Sequence, residues 1–347
     1  MYIKRIVLIV VLMGLLAAGI FAYLVYDALF APNTRMEEEE AYVFIPTGAG
    51  FDEVCIRLEP FLEDMNTFKA VARKKHYAEH IKPGRYAVKK GMNNNEIVNS
   101  LRSRNLPVQV SFNNQETLSE LAGRVATQLE ADSLSLVRTL TDSLYLHKFG
   151  LNARSGIALY IPNTYEFFWN TSAPEFRERM HREYERFWND TRQKEADSLG
   201  LSPLQVITLA SVVQKETAKV SERPRVAGLY LNRLKKDMAL QADPTVIYAI
   251  KEQTGNFDTI IKRVLFRDLV LDSPYNTYKY RGLPPGPITM PDISSIEAVL
   301  QPENHNYYYM VADVENFGFH KFAESLTQHN RNKVQYIRWI NEQKIKR

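Results

Sequence analysis

The 347 residues allow two or three domains, and 45% hydrophobic with 24% charged residues is the composition of an ordinary folded protein. Forty-four basic residues against 40 acidic ones leave a net charge of only +4, which excludes the strongly basic footprint of a nucleic-acid-binding protein. The single cysteine, Cys55, excludes an intrachain disulfide and a multi-cysteine zinc site; the seven histidines show no HExxH or comparable spacing, so no metal or other cofactor is expected.

At the N-terminus, Lys4 and Arg5 precede an uncharged run from Ile6 to Tyr26, closed by Asp27. As a helix this run spans roughly 30 Å, the thickness of a hydrocarbon core. It is longer than the apolar region of a cleaved signal peptide, and Ala28-Leu29-Phe30-Ala31 is a poor cleavage site. Cations before the run and acids after it, from Glu37 to Glu40, predict an uncleaved single-pass anchor with its N-terminus in the cytoplasm and the remaining chain outside the membrane. Residues 1–30 are thus expected to form the tip and anchor, and residues 31–40 a polar linker.

Residues 41–107 read as a small α+β module. A strand-like Tyr42–Ile45 is followed by a turn at Pro46-Thr47-Gly48, then helical patterns over Phe51–Leu62 and Asn66–Tyr77. Lys82-Pro83-Gly84 turns into a short strand over Arg85–Val88, and a helix through Ile97 and Leu101 follows. Residues 108–347 read as a larger mixed α+β domain. It is entered through an alternating strand over Pro107–Asn113, then helical patterns from Thr117 to Leu129, Ser133 to His147 and, as one long charged helix, Pro174 to Leu199, with Gly200 as its C-cap. Ser202 caps the next helix and Pro203 takes its first position. Tyr307–Val311 reads as a buried strand, Phe317–Phe322 as its hairpin partner, and the tail from Leu326 as a basic helix.

The helix that starts at Pro203 carries the most informative residue. On a 3.6-residue period Val206, Leu209, Val213 and Val220 share one face, and Glu216 falls among them. A carboxylate on a core-facing stripe is unusual. In an apolar pocket desolvation raises its pKa, which makes an acid able to protonate a leaving group near neutral pH. The bland alternative is a structural ion pair with Arg223, Arg225 or Arg233.

Three further clusters carry chemistry. Gln241-Ala242-Asp243-Pro244-Thr245 places Asp243 before a proline, which either holds it extended as an acceptor for a sugar hydroxyl or makes it a helix opening. Tyr275-Asn276-Thr277-Tyr278 with Gly282-Leu283-Pro284-Pro285-Gly286-Pro287 is a stiff irregular loop; rings such as Tyr278 stack on sugar faces, and amides such as Asn276 bond their polar groups. Ile161-Pro162-Asn163-Thr164-Tyr165 is the third, with Asn163 and Tyr165 as its candidates.

In this order LASVVQKETAKVSERPRVAGLYLNRL, MALQADPTVIYAI, SPYNTYKYRGLPPGPITMP, YYYMVAD and HKFAESLTQHN resemble the endolytic murein transglycosylase (YceG-like) family, over about Leu209 to Asn330. IPTGAGFDEV and IKPGRYAVKKGMNNNEIVNSL resemble its LysM-like subdomain. The resemblance implies a catalytic acid at the Glu of the K-E-T triplet, Glu216, and a substrate of peptidoglycan strands met outside the membrane, close to the synthases that make them. It also implies a single-carboxyl mechanism ending in a 1,6-anhydromuramic product. Gln241, Asp243, Thr245, Asn276, Tyr278, Asn163 and Tyr165 are the expected glycan-binding residues. Two positions depart from the family pattern: Gln214 stands where relatives commonly carry Glu, and Asn163 where they carry an acid. A muramidase pairing Glu216 with Asp243 and a non-catalytic glycan-binding scaffold are the competing readings.

Overall fold

A computed structural model describes residues 2–342, with side chains to residue 340. The last five residues, with three of the tail's cations, lie outside the described part. The chain forms two compact units. The first takes residues up to Val110 plus Gln128–Ala131 and Tyr165–Ser172; the second takes Ser111–Thr127, Asp132–Thr164 and everything from Ala173.

In the first unit, helix α1 (Tyr2–Phe30) buries none of its side chains and has a mean hydropathy of 2.7 over its best 18-residue window, long and apolar enough to cross a membrane. Strands β1 (Glu40–Ile45) and β2 (Gly84–Lys89) pair antiparallel, Tyr42 opposite Ala87. Helices α2 (Phe51–Leu58), α3 (Met65–Lys74) and α4 (Asn94–Ser103) bury Leu58, Phe68 and Ile97 with Val43 and Ile45 of the sheet. The α2 helix stops short of Leu62, because Pro60 lacks an N–H and tightens Glu59–Phe61 into a 3-10 turn. The segment read as a linker is pinned along its first half. Asn33, 5% exposed, accepts from the Asp64 backbone at 2.7 Å and donates to the Asp64 carbonyl and to Asn94 Oδ1.

Strands β3 (Pro107–Phe112) and β4 (Asn163–Phe168) pair with each other where the chain passes from one unit to the other. The second unit is mainly helical: α5 (Leu118–Ala126), α6 (Ser133–Leu140), α7 (Ser143–His147), α8 (Ala173–Phe187), α9 (Asp190–Leu199), α10 (Pro203–Glu216), α11 (Arg223–Lys235), α12 (Asp243–Thr254), α13 (Ile293–Leu300) and α14 (Leu326–Glu342). A hairpin of β5 (Tyr309–Ala312) and β6 (His320–Ala323) sets Ala312 opposite His320.

Two long helical patterns are broken by side-chain caps that periodicity does not register. The charged stretch from Pro174 to Leu199 is two helices, because Trp188 is buried and Asn189 caps α9 by accepting from Arg192 N–H at 3.1 Å. Asp142 likewise caps α7 and divides the stretch from Ser133 to His147.

Helix α10 is not amphipathic. Eight consecutive residues, Val206 to Val213, are buried, because α9, α11, α12 and α13 pack around it. Val220, expected on its apolar face, lies beyond its end and is 57% exposed. A helix surrounded in this way depends on close packing. Leu209→Ala is expected to lower the unfolding free energy by about 3 kcal/mol, read from urea unfolding of the detergent-solubilised protein; a loss near zero would mean that α10 is not the core of this unit.

Candidate active site

Glu216 is the last residue of α10. The unsatisfied carbonyls of a helix C-terminus carry partial negative charge and oppose a second one. Protein atoms surround the carboxyl group, and burial, the largest cause, pushes it from 4.5 up to about 7. The Tyr230 hydroxyl donates to Oε1 at 2.7 Å and works in the opposite direction, as do the charges of His320 and Arg233. Asp243 adds to the rise.

The residue keeps a partial opening to solvent through a cleft of about 200 Å³. Glu216 and Tyr230 line one wall, Gln241, Asp243 and Tyr278 another, and Met310 to Ala312 with His320 a third. None of the arginines that could have paired with Glu216 does so. Arg223 bonds Ser294 and Asp292, and Arg225 bonds Glu303. Arg233 donates to the carbonyls of Tyr308 and Leu240 at 2.6 and 2.7 Å, which fixes the chain on both sides of the cleft. Gln214 points elsewhere: its Oε1 accepts from the Asp292 backbone and from Ser295 Oγ, tying α10 to the start of α13.

The structure gathers Gln241, Asp243 and Tyr278 around Glu216 and leaves the other candidates outside. Asp243 is not extended; it begins α12, and its Oδ1 accepts from the Tyr278 hydroxyl at 2.6 Å. Thr245 is fully buried, and its hydroxyl bonds the Ala242 carbonyl and Thr277 Oγ1, both at 2.8 Å. Asn276 is fully buried too, donating to the carbonyls of Leu269 and Leu271 and accepting from Tyr278 N–H. These two set the position of Gln241 and Tyr278 and do not line the cleft. Asn163, exposed in β4, bonds the N–H of Thr164; Tyr165 is 9% exposed and belongs to the first unit.

Tyr230 and His320 were not foreseen, and Arg233 was foreseen only as a possible ion-pair partner of Glu216. On one continuous helix the fourteen residues from Glu216 to Tyr230 would span about 21 Å. The break after Glu216 folds α11 back against α10 and brings the two within hydrogen-bond distance. The available signal for His320 was strand alternation, which puts it on one face of β6 with Phe322.

A model of the YceG-like family matches residues 43–335. The endolytic murein transglycosylase of Bacillus subtilis (strain 168) is 28% identical over 340 residues, which cover 92% of this chain and 91% of the relative. That of Streptococcus pneumoniae (strain D39) is 28% identical over 92% of this chain, and this chain spans 63% of its length. A crystal structure of a yceG-like protein from Listeria monocytogenes superposes with a TM-score of 0.57 at 27% identity, covering 84% of this chain and 98% of that one.

The raised Glu216 carboxyl has a stability consequence. The folded state holds its proton up to about 7, while the unfolded chain releases it near 4.5. Glu216 therefore costs stability as pH rises through that window and costs nothing below it. Glu216→Gln is expected to melt with the wild type at pH below 4.5 and above it at alkaline pH, by the equivalent of on the order of 2–3 kcal/mol, in thermal scans of both proteins. Equal midpoints at alkaline pH would show that the carboxyl is not desolvated.

Proposed function

The chain belongs to the YceG-like family, and on that premise we propose that it is a lytic transglycosylase of peptidoglycan in which Glu216 alone moves the protons of the reaction. The observation that carries this reading is a carboxyl group without an ion-pair partner, protonated near neutral pH, bonded to Tyr230 and open to a cleft. The relatives named endolytic murein transglycosylase support the substrate class.

Glu216 protonates the glycosidic oxygen between N-acetylmuramic acid and N-acetylglucosamine. The C1–O bond breaks towards the leaving oxygen and an oxocarbenium-like centre develops on the muramic residue. The carboxylate left behind then takes the proton of the muramic C6 hydroxyl, whose oxygen closes on C1. The product is a 1,6-anhydromuramic end, and no water is consumed. Because the nucleophile is already part of the sugar, no second group is required to activate it. Gln241, Asp243 and Tyr278 hold the glycan in the cleft.

The apolar α1 helix supports a single-pass anchor in the cytoplasmic membrane, with the tip bearing Lys4 and Arg5 inside and the chain beyond α1 outside. An enzyme held there meets nascent strands as they leave the membrane synthases, and cutting them ends their elongation. We read the first unit as the LysM-like module of the family.

Asp243, the other carboxyl group of the cleft, supports a second reading as a hydrolase. Mass spectrometry of products from purified peptidoglycan separates the two, because hydrolysis leaves an end one water heavier. Anhydro ends are expected from the wild type and none from Glu216→Gln; anhydro ends made at the normal rate by that variant would defeat the mechanism.

A further inference from the structure

Glu222 is 3% exposed, on the 3-10 turn Val220–Glu222 between α10 and α11. A carboxylate at that depth is costly without a counter-charge. His320 reaches both of its oxygens, the backbone N–H to Oε1 at 2.6 Å and ring Nδ1 to Oε2 at 2.9 Å, and the Thr217 side chain also bonds the carboxylate. The two His320 bonds fix both the ring and the start of β6. The same ring lines the cleft onto which Glu216 opens.

Burial alone drives Glu222 up and His320 down; the contact between them reverses both, holding Glu222 below its ordinary range and His320 above it. Both shifts favour the charged pair, an imidazolium against a carboxylate at 2.9 Å. Besides Glu222, Glu216 from α10 acts on the ring; Tyr230 and Arg233 from α11, Asp243 from α12 and Tyr278 from the loop beyond it line the same cleft, Arg225 from α11 bears on Glu222, and Lys219 lies 5.1 Å from the ring of the neighbouring Phe319. The facing strand offers only Met310, Val311 and Ala312. Lys321, the next residue of β6, is occupied by Asp313 and Glu315 at 3.7 and 2.9 Å.

We propose that His320, kept as an imidazolium by Glu222, is a positioning residue for the reaction, its charge offsetting the one that Glu216 acquires on giving up its proton. The inference rests on the reading of Glu216 as the acid. When that proton passes to the glycosidic oxygen, the electron pair of the broken C1–O bond goes to the leaving oxygen and the new negative charge stays on Glu216. His320 keeps its own proton throughout. It lowers the energy of the carboxylate and does not touch the reacting atoms. Such a cation makes a desolvated acid strong enough to release its proton.

The test is the pH dependence of anhydro-end formation by the full-length enzyme on purified peptidoglycan, for the wild type, His320→Gln, Glu222→Gln and His320→Lys. Activity needs protonated Glu216 and falls as pH rises through its pKa. Loss of the cation makes Glu216 harder to ionise. In His320→Gln that fall is expected to move up by about one pH unit, with a lower maximal rate. Glu222→Gln is expected to move it in the same direction, while its His320 ring signal titrates at lower pH by NMR. His320→Lys keeps a cation and should restore the wild-type position. A merely structural role would lower the rate and leave the fall where it was, and an unmoved fall in His320→Gln and Glu222→Gln overturns the inference. Should His320→Gln fail to fold, Glu222→Gln decides by the same criterion. Anhydro ends made by Glu216→Gln would instead overturn the reading of the acid itself.

Discussion

The structure of the second unit turns on one constraint: a carboxyl group must sit at the end of a helix that is buried on every side. Helix α10 is surrounded by α9, α11, α12 and α13, so its last turn ends inside the protein and not at the surface. There the helix dipole and the loss of water both oppose a negative charge. An ion pair with a nearby arginine would relieve that strain and remove the acid. The three arginines closest in sequence are each engaged with other partners, and what reaches Glu216 is a neutral hydroxyl at 2.7 Å. The carboxyl is therefore hydrogen-bonded without a salt-bridge partner among the described residues, and burial keeps its pKa raised to about 7.

The walls of the cleft follow from the same economy. The long irregular segment after α12 is held in one conformation by polar groups turned inward: Asn276 bonds two carbonyls of its own loop, and Thr245 and Thr277 join that loop to the start of α12. Gln241 adopts a left-handed backbone, φ 50°, and its N–H is bonded to the Thr277 carbonyl. That conformation is unfavourable for a residue with a side chain, and the loop compensates for it at the edge of the cleft. Amides and hydroxyls that could serve a sugar serve the backbone instead, and the side chains left to face the cleft are Gln241, Asp243 and Tyr278.

The hairpin of β5 and β6 is the third wall, and its attachment is electrostatic as well as apolar. Glu222 accepts from both the backbone and the ring of His320, so the turn after α10 also anchors the start of β6. Titratable groups are thus spread over the site: Glu216 at the helix end, the Glu222–His320 pair beyond it, Arg233 on α11 and Asp243 on the wall formed by the start of α12.

Much of this was legible in the sequence. Ser202-Pro203 and Gly200 mark the ends of their helices, because capping and left-handed turns depend on one or two adjacent residues. The apolar N-terminal helix is legible because average hydropathy over a window needs no tertiary contact, and Glu216 because a carboxyl group inside an apolar run is anomalous wherever the run is buried. The breaks at Asn189 and Asp142 were masked by uninterrupted helical periodicity, although both are cap residues. The environment of Glu216 could be read only in part, through Gln241, Asp243 and Tyr278. Tyr230, Arg233 and His320 come from a different helix and a distant hairpin, and whether Asn276, Thr245 and Tyr278 face a ligand or the backbone depends on which of their bonds the loop has already used. The chain by itself singled out Glu216 as an anomalous carboxyl group, through local composition; only the tertiary structure decided its burial and its partners, because burial and electrostatic fields are set by atoms far away in sequence and near in space.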